Sequence, residues 1–144
     1  MNPKQLHFDS DGREKLLSGI TQIAKAVKST LGPRGNTVLI ESQEHTHGIT
    51  VTKDGVTVAK SIFLLDAVEN LAVRIMKEAA DKTATSAGDG TTTAIVLTEA
   101  LVKEGMVKID ESVNRTEVLK VLQQECEVII KMLAKKGKKV SGSK

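Results

Sequence analysis

The six residues Gly88-Asp89-Gly90-Thr91-Thr92-Thr93 combine glycine, acid and hydroxyls, and the apolar run Ala94-Ile95-Val96-Leu97 follows them. The pattern reads as a tight glycine turn, an acid, and a helix start with three hydroxyls in its first turn. The first N–H groups of a helix lack intrahelical acceptors, and the aligned peptide dipoles favour an anion there. Glycines let a phosphate come close to the backbone, because no Cβ intervenes. Threonine hydroxyls can donate to phosphate oxygens or ligate a cation. Asp89 is a hard oxygen ligand suited to Mg2+ shared with substrate phosphates. The stretch therefore fits a metal–phosphate pair, as in a nucleotide. A plainer reading competes, with Asp89 as an N-cap ahead of ordinary first-turn threonines. The P-loop pattern G-x-x-x-x-G-K-[ST] does not occur in the chain.

Two further stretches are open to the same double reading. Thr30-Leu31-Gly32-Pro33-Arg34-Gly35 brackets a proline with glycines, so the chain must turn there. Such a loop can end a helix and nothing more, or hold a ligand by its backbone atoms. Lys53-Asp54-Gly55 is a turn signal. In a phosphate site, Lys53 could bind phosphate or a cation through its carbonyl, and Asp54 could orient a water. His45 and His47 lie two apart and would share a strand face, but no further ligands stand nearby, so an exposed loop fits better than zinc.

The elements that must position these residues follow from apolar spacing. Leu6 and Phe8 could face one side of an edge strand. Leu16, Ile20, Ile23, Ala24, Val27 and Leu31 form one helical stripe, so a first helix is predicted from about Asp11 to Ser29. Thr37-Val38-Leu39-Ile40 and Ile49-Thr50-Val51-Thr52 read as short strands joined by a polar loop, Glu41 to Gly48. Val68, Leu71, Ala72, Ile75, Met76 and Ala79 define a helix from about Asp66 to Thr85. The next helix starts at the Gly88–Thr93 stretch and runs to about Lys108. Its apolar residues cover most of its circumference, which predicts a central, buried helix. A last helix follows Thr116-Glu117, with Val118, Leu122, Cys126, Ile129 and Leu133 as its stripe. That pattern makes Cys126 a small core residue, and no histidine partner for a nucleophile is evident.

Composition narrows the function classes. The chain has 144 residues and 40% are apolar, enough for one domain with a real core. Phe8 and Phe63 are its only aromatics, which argues against stacking on single-stranded bases. The net charge is +3, and Lys131, Lys135, Lys136, Lys138, Lys139 and Lys144 crowd the C-terminal end. That end suits a helix C-terminal dipole better than a nucleic-acid surface. Cys126 is the single cysteine, so no disulfide forms within the chain and a reducing compartment fits. No apolar run approaches membrane-spanning length, and Met1-Asn2-Pro3-Lys4 lacks the apolar core of a secretory signal. A cytoplasmic location is the expectation.

Thr30-Leu31-Gly32-Pro33-Arg34-Gly35, then Thr52-Lys53-Asp54-Gly55-Val56, then Ala87-Gly88-Asp89-Gly90-Thr91-Thr92-Thr93-Ala94 stand in a fixed order. Together they resemble the first part of a group I chaperonin, the GroEL type, and the similarity runs from Phe8 to the last helix. The resemblance implies the N-terminal half of an equatorial ATP-binding domain, mainly α-helical with a small β-hairpin. On that resemblance Thr30, Leu31, Gly32 and Pro33 form a loop against base, ribose and phosphates. Thr30 and Lys53 help hold K+ through main-chain oxygens, and Asp89 ligates Mg2+. Gly90, Thr91, Thr92 and Thr93 cradle the phosphates, while the catalytic Asp54 helps position the attacking water. Phosphoryl transfer needs metal charge, oriented donors and an aligned water more than covalent help from protein, so the roles suit the chemistry.

The resemblance also implies what lies elsewhere. The family's chain is several times longer, and its returning half supplies a second catalytic aspartate. Residues 1–136 would be the N-terminal part of the equatorial domain and 137–144 a linker towards an intermediate domain. The intermediate and apical domains would be absent from this chain. A piece of a larger protein is the expectation, with negligible ATPase turnover by itself. The implied partners are identical subunits in a ring, unfolded clients and a co-chaperonin. The loop Glu41 to Gly48 is longer than the family's usual one, and Asp110 to Arg115 lacks its Gly-Met-Asn-Pro turn, which puts subunit contacts in doubt. The competing expectation is a truncated, non-enzymatic helical interaction module.

Overall fold

The computed structural model describes residues 6–41, 48–109 and 112–138. Among them run five helices and one hairpin: α1 (Asp9–Lys28), β1 (Val38–Glu41), β2 (Ile49–Thr52), α2 (Gly55–Ser61), α3 (Ala67–Ala87), α4 (Thr91–Lys108) and α5 (Arg115–Lys136). The expected class, mainly α with a small hairpin, is the one observed. Contacts divide the chain into two units, residues 1–104 and 105–144.

The first unit is built on α1 crossing α3. Their axes come so close that a Cβ at Gly19 would sit 2.3 Å from the Glu69 carbonyl oxygen. Around this crossing Ile23, Ala24 and Val27 of α1 meet Val73, Met76 and Ala80 of α3, with Val58 and Ala59 of α2 and Ile95 of α4. All are almost fully buried, and the aromatic-poor core is aliphatic as the composition requires. Ends are fastened locally. Asp66 caps α3 by accepting from the Val68 and Glu69 N–H groups, and Lys15 Nζ of α1 donates to its Oδ2 at 2.8 Å. The antiparallel hairpin pairs Val38 with Thr52 and Glu41 with Ile49. Val38 and Ile40 pack on the core, whereas Leu39, Ile49 and Val51 face outward.

Several expectations need correction. The stripe assigned to α3 holds only in part: Ala72 and Met76 are buried as expected, but Leu71 and Ile75 are exposed, and Val73 and Ala80 are buried instead. The face of α3 that meets α1 carries Val73, Met76 and Ala80, so the partner helix rather than the size of the side chain decides which residues are buried. Helix α4 is not buried all round. Only Thr91, Ile95 and Glu99 are inside, and Leu97 and Leu101 are exposed, because apolar composition needs a facing surface to become burial. Leu6 to Phe8 form no strand; His7 Nδ1 instead bonds Asp11 Oδ2 at 2.6 Å. Residues 1–5, and His45 and His47 of the expected hairpin loop, lie outside the described residues.

The second unit holds the end of α4 and α5. Asn114 caps α5, its Oδ1 accepting from Thr116 and Glu117. The predicted stripe does share one face of α5, yet no residue of the helix is buried, and Cys126 is exposed rather than a core residue.

Candidate functional site

Three segments of the first unit meet where the chain has no room to spare. Gly55 opens α2, and a Cβ built there would lie 2.1 Å from Thr92 Oγ1, 3.3 Å from Val27 Cγ1 and 3.4 Å from Thr30 Oγ1. One residue from each of the three sequence motifs thus reaches the same point. The hairpin makes this possible. Its Val38–Thr52 pairing closes the chain so that the loop after α1 and the turn before α2 lie side by side.

The loop after α1 is tied down by its own backbone. Thr30 Oγ1 donates to the Val27 carbonyl at 2.8 Å, Gly35 N–H donates to Gly32, and Asn36 N–H donates to Ser29 at 2.7 Å. Gly32 takes a positive φ of 80°. Leu31, Gly32 and Pro33 are exposed, so this loop presents surface rather than core. No described hydrogen bond ends on the main-chain oxygens of Thr30 or Lys53.

Asp54 is the N-cap of α2 and is tightly engaged. Its Oδ2 accepts from Thr57 Oγ1 at 2.6 Å and Thr57 N–H at 2.9 Å, and its Oδ1 from Val56 N–H at 3.3 Å. The Thr57 hydroxyl, then the Thr57 and Val56 N–H groups, hold the Asp54 carboxyl below the usual carboxylate range. Such a group stays ionised at neutral pH. It suits orienting a water or a cation better than taking up a proton.

The Gly88–Thr93 turn is shaped by two left-handed glycines, with φ of 76° at Gly88 and 87° at Gly90. Gly88 ends α3 and its N–H returns to the Ala84 carbonyl. Asp89 is exposed, and its Oδ1 accepts the Gly90 N–H at 2.6 Å. The Gly90 carbonyl takes the first helical bond, from Ala94 N–H, so α4 starts with Thr91, Thr92 and Thr93. Thr91 is buried, Thr92 half-buried over Gly55, and Thr93 exposed. Asp89 is therefore not an N-cap of the side-chain type, and its second oxygen has no described protein partner. No three His, Cys, Asp or Glu residues gather into a metal cage among the described residues.

A model of the TCP-1/cpn60 chaperonin family matches residues 23–144. The chain belongs to that family. This chaperonin chain is also similar to two crystal forms of the chaperonin gp146 from the bacteriophage EL 2 (Pseudomonas aeruginosa), each solved in the presence of ATP-BeFx. Form II gives 38% identity and a TM-score of 0.64, covering 70% of this chain and 18% of that one. Form I gives 41% identity and a TM-score of 0.59, covering 65% and 16%. The chain thus spans less than a fifth of the solved chaperonin it matches.

Sequence reasoning passed over one residue and one contact around this site. Thr57 follows Asp54 at the spacing of a helix cap, a signal available in the sequence. The contact of Gly55 with Thr92 spans 37 positions, and no local pattern announces it.

Proposed function

We propose that this chain supplies half of a Mg-ATP site in an ATP-dependent chaperonin subunit. The observation that carries the reading is the convergence of Thr30, Gly55 and Thr92 beside Asp54, three motif segments at one point. Thr30, Leu31, Gly32 and Pro33 face the nucleotide, and the N–H groups and hydroxyls of Gly90, Thr91, Thr92 and Thr93 bind its phosphates. The Asp89 carboxylate, with one oxygen not bonded to Gly90, would hold Mg2+ as a hard oxygen donor. The main-chain oxygens of Thr30 and Lys53 would help hold K+. When bound, Mg2+ supplies positive charge to the phosphate oxygens. Asp54, kept anionic, accepts a hydrogen bond from the attacking water and orients it. Hydrolysis in the complete protein drives movements that enclose unfolded clients in a ring of identical subunits, in the cytoplasm. Residues 1–136 act as part of the equatorial domain and 137–144 lead out of it.

Calorimetry of Mg-ATP on the full natural polypeptide tests the reading. Saturable binding that Asp89→Ala abolishes is expected. Binding absent in the unaltered protein, or unchanged by Asp89→Ala, would leave the non-enzymatic interaction module as the reading.

A further inference from the structure

Helix α4 carries one buried stripe, Thr91, Ile95 and Glu99, four residues apart. Glu99 is only 3% exposed, the sole buried carboxylate among the described residues. Two lysines reach in to it. Lys28 Nζ of α1 donates to its Oε2, and Lys103 Nζ, one turn along α4, donates to its Oε1 at 2.7 Å. Both lysines are nearly half exposed, so each ammonium bridges from solvent to an acid inside. Burial alone would raise the Glu99 carboxyl, but the bonds to Lys103 and Lys28 outweigh it and hold the group low and ionised.

The two bonds differ in what they join. Lys103–Glu99 lies within one helix. Lys28–Glu99 connects α1 to α4, and each end lies on a helix that leads to a motif segment. Lys28 is the last residue of α1, two before Thr30, and Glu99 is two turns after Thr91. Apolar contacts between helices tolerate sliding, whereas a directional bond to a buried charge has one register. We propose that Glu99 is a positioning residue. Its bond to Lys28 fixes the end of α1 against the start of α4, so that the hydroxyls of Thr30 and Thr92 stay together at Gly55. This rests on the Mg-ATP reading above.

The experiment compares Lys28→Met with Lys103→Met in the full natural polypeptide. Each removes one cation from the same carboxylate, and each leaves one behind. A role in charge balance alone predicts the same outcome for both. The proposal predicts a rise in the Mg-ATP dissociation constant of roughly ten- to a hundredfold for Lys28→Met, as for displaced supporting groups. Lys103→Met stays within about twofold, with comparable thermal midpoints for the two. Equal affinities in the two variants would overturn it. Should Lys28→Met not fold, Lys28→Gln against Lys103→Gln makes the same comparison. Lack of binding by the unaltered protein would instead defeat the Mg-ATP reading itself, which separates the two failures.

Discussion

At Asp54 three donors from a single helical turn compete for one carboxylate, and the Thr57 hydroxyl is the strongest of them. Thr57→Val removes that hydroxyl and keeps the side-chain volume. The Asp54 carboxyl is then expected to titrate closer to its ordinary value of 3.8, and carboxyl NMR through an acid titration reads the change. Gly55 makes a different demand. Gly55→Ala would push its Cβ into Thr92 Oγ1, the tip of a short side chain that can rotate away. The fold is therefore expected to persist, with a loss of about 1 kcal/mol. Thr92 is displaced, and Mg-ATP affinity in the full polypeptide is expected to fall by roughly tenfold or more. Asp54 and Asp89 were legible in the sequence because their chemistry lies within a few residues of each. Gly55 stood in a quoted motif, but its contact with Thr92 was not legible, since folding alone brings residue 92 to residue 55.

Among the elements, the end of α3 offers a pH test. Lys15, then the Glu69 and Val68 N–H groups, hold the Asp66 carboxyl down to about 2 from 3.8, and Asp66 raises the Lys15 ammonium in turn. The folded state thus prefers ionised Asp66. The stability this gives is present above pH 3.8 and disappears as pH falls through about 2. The Lys15 part is present below pH 10.5 and is lost above it. Asp66→Asn keeps a cap acceptor without the charge, so its unfolding midpoint is expected to vary less than that of the unaltered protein between pH 4 and pH 2. Denaturation melts at those pH values check this. Four of the five helices were readable from spacing, with α1 and α3 found within about two residues of expectation, whereas the short α2 was not read as a helix. The buried side of α3 was readable only in part, at Ala72 and Met76. Met76→Ala is expected to cost about 2–5 kcal/mol, and Ile75→Ala, one residue away but 57% exposed, under about 1 kcal/mol. Chemical denaturation of the two variants distinguishes them.

For the whole molecule, the apolar surface left outward is the main fact. Leu39 and Val51 are cross-strand partners, both over 60% exposed, on a hairpin whose other side is packed. An exposed apolar pair on a two-stranded edge suits a contact between the identical subunits proposed above. Leu39→Lys with Val51→Lys is expected to lower the sedimentation coefficient of the full polypeptide while leaving helicity by circular dichroism intact. An unchanged particle size would remove the hairpin from the interface.

The sequence by itself determined the class of the fold, the hairpin and the identity of the three motif segments. Each rests on residues that interact over one or two turns, where spacing and side-chain type suffice. Only the tertiary structure decided which apolar faces are buried, that Glu99 is drawn inside between Lys28 and Lys103, and that Thr30, Gly55 and Thr92 share one point. Those outcomes depend on which surfaces meet across tens of residues. Helical periodicity describes a face but not its partner.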